Sequence, residues 1–139
     1  MISQDINLAA SLLSLLLTLH PGPTARETEW SAFLAREMGL NPAVCCEQRM
    51  PDGSRCDILD GSYAYEVEWA SKWKEAPAQA TLYGLGFNRE PAVILLLRSD
   101  DDEDEYLRCL AVCARYRIPC VGVRADRYDR SRFLRRLPR

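Results

Sequence analysis

Apolar and polar positions change their period several times along this chain, and each change marks a predicted element. Residues 8–19 (LAASLLSLLLTL) are almost wholly apolar and end at Pro21–Gly22–Pro23. This predicts a helix over residues 4–19 that packs on the domain or on a second copy of the chain, so a homodimer through this helix is expected. The stretch does not read as a leader or an anchor. No Lys or Arg precedes Arg26, Asp5 sits where a signal peptide carries positive charge, and twelve residues are too few to span a bilayer. Thr24 and Glu27 then form a capping-box pattern, Trp30, Phe33, Leu34 and Met38 share one helical face, and Gly39 ends that helix.

Three short strands are predicted next, at residues 43–48, 54–59 and 62–69. The turn signals Pro51–Asp52–Gly53 and Asp60–Gly61 separate them. Pro77 suits the first turn of a helix that runs to Gly84 or Gly86. Residues 92–98 (AVILLLR) have the unbroken apolar run of a strand buried on both faces. A helix over 102–117 with acids at its start and a last strand at 119–123 complete the order. A meander followed by crossovers implies an α/β fold with a mixed central sheet flanked by helices. The predicted organisation is an apolar helix and linker (1–23), a main domain (24–123) and a basic C-terminal segment (124–139).

Composition sharpens this picture in three places. The 139 residues are 47% hydrophobic and 27% charged, the balance of an ordinary globular domain and not of a disordered chain or a membrane bundle. The net charge of −2 hides an asymmetry. Residues 124–139 hold seven arginines against Asp126 and Asp129, net +5, which leaves 11 basic and 18 acidic side chains, net −7, in the rest. A basic segment on an acidic body either grips a polyanion or pairs with the body's own acids, Asp100–Glu105 among them. That acidic run itself reads as the solvated start of a helix, with a metal site as the alternative. Arginine outnumbers lysine sixteen to two, so Lys72 and Lys74 hint at a place that needs a compact ammonium. The six cysteines lie mostly in apolar runs, the habit of buried thiols in a reducing cytosol, so a cytoplasmic location is expected. With no CxxC pair and His20 as the single histidine, zinc is the weaker reading, and no disulfide is expected.

The chemistry concentrates in residues 55–83. Alternation puts Glu66 and Glu68 on one face of a strand, with Val67 and Trp69 on the other. A two-residue Asp60–Gly61 turn would pair Asp57 with Ala64, diagonal to Glu66. Three acids on one sheet face repel each other unless a cation joins them. Oxygen ligands with open positions suit Mg²⁺, with Mn²⁺ as a substitute.

This segment resembles the PD-(D/E)XK nuclease superfamily, whose restriction endonuclease-like core has the order αβββαβ. Asp57 matches the aspartate of that family's second core strand, and Glu66–Val67–Glu68 matches its acid-x-lysine in part. Glu68 stands at the lysine position, and Lys72 is the candidate for a displaced lysine. Gln79 and Tyr83 resemble a Q-x-x-x-Y helix of exonuclease branches, and Glu29 resembles an acid that some members add to the metal shell. Pro51–Asp52 lies in a turn and is not taken as the motif's own ProAsp.

The resemblance implies Mg²⁺-dependent phosphodiester hydrolysis of nucleic acid, DNA ahead of RNA. Asp57, Glu66 and Glu29 would hold metal, and Glu68 and Lys72 would assist the attacking water. Gln79, Tyr83, Arg127, Arg130 and Arg132 would position substrate. Trp69 and Trp73 read as wall packing or as stacking platforms. The alternative function is a binding or assembly module for nucleic acid or a protein partner that kept the fold and lost the reaction.

Overall fold

The computed structural model describes residues 19–139 together with 7, 8 and 11. The helix expected at 4–19, and the dimer expected through it, therefore lie outside the described residues. Five strands form one sheet in the order β1-β2-β3-β4-β5. They are β1 (Cys46–Arg49), β2 (Arg55–Leu59), β3 (Tyr63–Trp69), β4 (Glu90–Leu97) and β5 (Cys120–Arg124). The β1–β2 and β2–β3 pairs are antiparallel, and β3–β4 and β4–β5 are parallel. The α/β class and the mixed open sheet agree with the reading of the sequence. Among the described residues, no helix is long and apolar enough to cross a membrane.

The apolar run of β4 organises the layers. Ala92 to Leu97 are all buried, and because alternate residues face opposite sides, one strand serves two cores. Ala92, Ile94 and Leu96 join Trp30, Leu34 and Ala35 of α1 (Glu27–Glu37) and Phe133 of α5 (Arg130–Arg136). Val93, Leu95 and Leu97 join Ala76 and Ala80 of α3 (Ala76–Phe87) and Cys109 and Cys113 of α4 (Glu103–Arg115). The two crossover helices α3 and α4 thus share one face, as crossovers of one hand do when the sheet grows in one direction. Burial of a side chain of this kind contributes about 1.5–3 kcal/mol, so β4 is the strand the fold can least spare.

Helix α1 starts at Glu27, three residues later than the capping-box pattern places its cap, and the reciprocal bond is made by a different acid. The Arg26 N–H donates to Glu29 Oε2 at 2.7 Å. Residues 43–45, expected in a strand, belong instead to a single-turn helix, α2 (Pro42–Cys45), capped by Asn41, whose side chain accepts from the Ala43 N–H at 3.1 Å. Proline at the first helical position after an Asn cap is a strong local start signal, and it outweighs the β-forming Val44 and Cys45.

The C-terminal segment is not a loose tail. Tyr128 packs edge-on to Phe33, and its hydroxyl donates to Glu37 at 2.9 Å. Arg124 is clamped by Asp100 at 2.8 Å, Glu103 at 3.3 Å and Asp126 at 2.8 Å. Arg127 reaches Asp100 at 3.4 Å and Arg130 reaches Glu37 at 3.2 Å. Of the two readings of this segment, pairing with the body's acids holds for these three arginines. Among the described residues, Arg132, Arg135, Arg136 and Arg139 form no ion pair.

Helix α3 passes close over the start of β4. A Cβ added at Gly84 would lie 2.7 Å from the Arg89 carbonyl oxygen and 3.3 Å from the Pro91 nitrogen. Both are backbone atoms and cannot swing aside. Gly84→Ala is therefore expected to destabilise the fold by about 1–3 kcal/mol of overpacking, partly offset by about 1 kcal/mol of helix propensity. Urea denaturation of the two proteins measures the difference, and an equal or higher midpoint for the variant contradicts the close approach.

Candidate active site: a buried carboxylate cluster where two strands part

The hairpin register differs from the expected one by two residues. The observed pairs are Ile58↔Tyr65 and Leu59↔Ala64, because the turn is closed at Asp60 and Tyr63 instead of Leu59 and Ser62. Asp60 fixes this turn: its Oδ1 accepts from the Ser62 and Tyr63 N–H groups at 2.7 and 2.6 Å, and its own N–H donates to the Tyr63 carbonyl at 3.0 Å. The new register brings Asp57 level with Glu66 instead of diagonal to it.

Beyond Ile58 the β2–β3 pairing stops, and a side chain takes over. The Val67 N–H, which a continuing ladder would give to a β2 carbonyl, donates to Asp57 Oδ2 at 2.7 Å. Asp57 is thereby held against β3 beside Glu66. Glu66 and Glu68 are each only 4% exposed. They project on the face opposite Tyr65, Val67 and Trp69, as alternation requires. Glu66 Oε2 is buried without a hydrogen-bond partner.

These carboxyls resist ionisation. Burial, the Asp57 charge and a hydrogen bond to Asp57 push Glu66 up to about 10. Burial raises Asp57 to about 7 against the opposing pull of the Val67 N–H. Glu68 is raised to about 8 by burial and by Glu27, with Lys72 pulling the other way. Ion pairs among the described residues reach Glu27 and Glu47 but not Asp57, Glu66 or Glu68. An oxygen-rich site with surplus negative charge and an unsatisfied oxygen is what a hard divalent cation would relieve.

Two acids were missed in the sequence. Glu27, not Glu29, is the acid that α1 contributes, because Glu29 is exposed and occupied by the Arg26 N–H. Glu27 lies three and seven residues before the buried Trp30 and Leu34, so helical spacing puts it on the inward face and Glu29 on the outward one. That signal was present in the sequence. Glu47 lies between the β1–β2 pairs Cys46↔Ile58 and Gln48↔Cys56, opposite Asp57, and raises its pKa. Its φ of 54° is in the left-handed region, an uncommon and costly conformation for a residue with a Cβ. No sequence pattern announces it.

Lys72 stands at the end of the single 3₁₀ turn Ala70–Lys72 that follows β3. It is 3.8 Å from Glu27 Oε1 with its side chain 57% exposed. On α3, the Tyr83 hydroxyl donates to Gln79 Oε1 at 3.3 Å. Tyr83 is buried against Cys56 and Ala64, and burial first, then the charges of Glu66 and Asp57, raise its pKa, so α3 forms a wall of the cluster. Trp69 is buried with Arg98 lying 4.0 Å over its ring, and Trp73 packs on the α3–α4 core. The packing reading of the tryptophans is the one realised. Arg127, Arg130 and Arg132 lie on the C-terminal segment, the first two already ion-paired.

The acids do not form a closed cage. Among the described residues, the only three His, Cys, Asp or Glu ligand atoms within 4.8 Å of one another are the sulfurs of Cys109, Cys113 and Cys120. Mg²⁺ needs no such cage, since it keeps several waters and takes one or two carboxylates. The adjacent pair Asp57 and Glu66 fits that demand. Comparison of the chain with protein-family models, curated proteins and solved structures found no match.

The raised carboxyls bind protons in the folded chain that they release in the unfolded one. Their contribution to stability is complete below the ordinary carboxylate range and is lost as pH rises through about 7, 8 and 10. In EDTA, the melting temperature is expected to fall from pH 5.5 to pH 9. Glu66→Gln, which keeps the shape and removes the charge, should flatten that fall and stabilise the protein at high pH by about 1–2 kcal/mol, or roughly 3–8 °C. Parallel melting curves for the two proteins across this range contradict the assignment.

Proposed function

We propose that this chain is a metal-dependent nuclease of the PD-(D/E)XK type with a restriction endonuclease-like core, hydrolysing phosphodiester bonds in nucleic acid, DNA ahead of RNA. The observation that carries this reading is the pair of carboxyls, half-buried Asp57 and buried Glu66, set side by side where β2 and β3 part, with Glu66 Oε2 unsatisfied. The order of a helix, a three-strand meander, a helix and a parallel strand supports it.

In this reading Asp57 and Glu66 would hold Mg²⁺ or Mn²⁺, with Glu68 and Glu27 acting on its water shell. The bound ion would supply a more acidic water and positive charge against the phosphoryl oxygens. Asp57 is fixed for this by the Val67 N–H, so little reorganisation is needed. Glu27 restrains Lys72 near Glu68, where the ammonium orients water or meets charge developing on the phosphate. Tyr83 excludes solvent from one side. It uses the Gln79 carbonyl, which leaves the Gln79 amide free to donate to substrate.

The test is cleavage of plasmid, linear duplex, single-stranded DNA and RNA in Mg²⁺, Mn²⁺ or EDTA, alongside calorimetric titration with Mn²⁺. Metal-dependent cleavage is expected, with Asp57→Ala and Glu66→Gln each lowering it at least about 100-fold and weakening Mn²⁺ binding, and Lys72→Ala lowering cleavage while leaving Mn²⁺ binding intact. Mn²⁺ binding with no cleavage of any substrate points to the binding or assembly module. Neither binding nor cleavage by folded protein overturns the proposal.

Substrate must be drawn to an acidic site by charge elsewhere, and α5 carries three arginines, Arg132, Arg135 and Arg136, that form no ion pair among the described residues. Removing the segment would take Phe133 out of the core, so the informative variant is Arg132→Gln with Arg135→Gln and Arg136→Gln. Each lost phosphate contact should reduce the slope of log affinity against log salt by about 0.9 on duplex DNA. An unchanged slope and affinity remove α5 from the substrate grip.

A further inference from the structure

We propose that Cys109, Cys113 and Cys120 form a second metal site, one for a divalent thiophilic cation such as Zn²⁺, held by three sulfurs between α4 and β5. Cys109 and Cys113 stand one helical turn apart on α4, and Cys120 opens β5. Cys109 Sγ is 4.0 Å from Cys113 Sγ and 3.9 Å from Cys120 Sγ, and all three lie within 4.8 Å of one another. Three sulfurs on one ion with bonds of about 2.3 Å are about 4.0 Å apart when trigonal and about 3.8 Å when tetrahedral. The triangle is already close to the size the ion would impose.

The scaffold holds it there. A Cβ at Gly122 would sit 2.8 Å from the Tyr106 ring, so α4 lies tight against β5 just beyond Cys120, and the thiols are placed by packing. Cys109 and Cys113 are buried while Cys120 is partly exposed, which gives an ion a way in. The Trp73 carbonyl oxygen, 4.0 Å from Cys109 Sγ, is a further polar atom beside the trio. No acid belongs to the trio, and thiolate donors select soft and borderline ions over Mg²⁺.

Charge favours a divalent ion. Three metal–sulfur bonds release the thiol protons to solvent and set three thiolate charges on the ion, so a divalent cation leaves net −1 and a monovalent one −2. The smaller buried charge costs less.

The test uses the full-length, reduced protein titrated with Cd²⁺ and Zn²⁺ in the presence of excess Mg²⁺. One equivalent of Cd²⁺ should produce the ultraviolet sulfur-to-cadmium band, and Zn²⁺ should compete it away. Cys120→Ala should lose the band, while Cys46→Ala and Glu66→Gln keep it. Because a core variant can fail to fold, a second measurement uses the unmodified sequence: Cd²⁺ or Zn²⁺ should slow alkylation of Cys109, Cys113 and Cys120 together and leave Cys45, Cys46 and Cys56 unchanged, read by mass spectrometry. Absence of the band with unaltered alkylation overturns the proposal, as does a band that survives Cys120→Ala or vanishes in Cys46→Ala. Binding of Cu⁺ but of neither divalent ion refutes the charge argument.

Discussion

A single hydrogen bond decides the character of this molecule: the one from the Val67 N–H to Asp57 Oδ2. A β-sheet interior cannot leave a backbone N–H unpaired without losing about 1–3 kcal/mol, so two strands can part only where something else accepts the proton. Asp57 does so with a side chain, and three consequences follow. The β2–β3 ladder ends after Ile58, a carboxyl is drawn against β3, and it comes level with Glu66. A neutral acceptor would have closed the ladder equally well but would have brought no charge. The cost appears in the raised pKa values of all three carboxyls and in the unsatisfied oxygen of Glu66. The supporting structure is correspondingly firm: Tyr83 backs the pair from α3, and Val93 of the fully buried β4 lies beside Glu66 in register. Strain and surplus charge of this kind persist where the surrounding fold over-determines them.

The elements that could be read from the sequence are those in which one short-range signal dominates. The apolar run of β4, the period of α4 and the Pro77 start of α3 each depend on a few neighbouring residues, and each is found within a few positions of its expected place. Where two local signals compete, the reading fails. At residues 42–45 the Asn41–Pro42 start defeats the β-formers that follow. At the hairpin, Asp60 caps the turn with its side chain and shifts the register by two, which no count of turn residues discloses. The site shows the same division. Alternation along β3 is enough to place Glu66 and Glu68. Glu27 can be found from its helical spacing to Trp30 and Leu34, whether the cap is Thr24 or Arg26. Glu47 could not be found, since its approach to Asp57 depends on a left-handed backbone angle and on a strand pairing between distant parts of the chain.

The C-terminal arginines show how far tertiary packing revises a charge map. As a sequence they form one basic block. In the fold, Arg124 is consumed in a three-acid clamp that ties the end of β5 to the start of α4. Arg127 adds to Asp100 of the same clamp and Arg130 pairs with Glu37, while the aromatic group of Trp30, Phe33, Tyr128 and Phe133 seals α5 against α1. The positive charge left over is smaller than the sequence implies, and it is presented from a helix, with a fixed direction.

One row of the sheet unites the two sites. Glu66 on β3 is level with Val93 on β4, and Val93 is level with Cys120 on β5. All three side chains point to the α3–α4 face, and with strands spaced about 4.8 Å apart the backbones of Glu66 and Cys120 are about 10 Å apart. On one side of Val93 the donors are carboxylate oxygens; on the other they are sulfurs. Hard ions gain little from sulfur, and Zn²⁺ gains more from three thiolates than from two carboxylates. If both proposed sites take up ions, hard and thiophilic cations would be sorted by donor chemistry across a single valine.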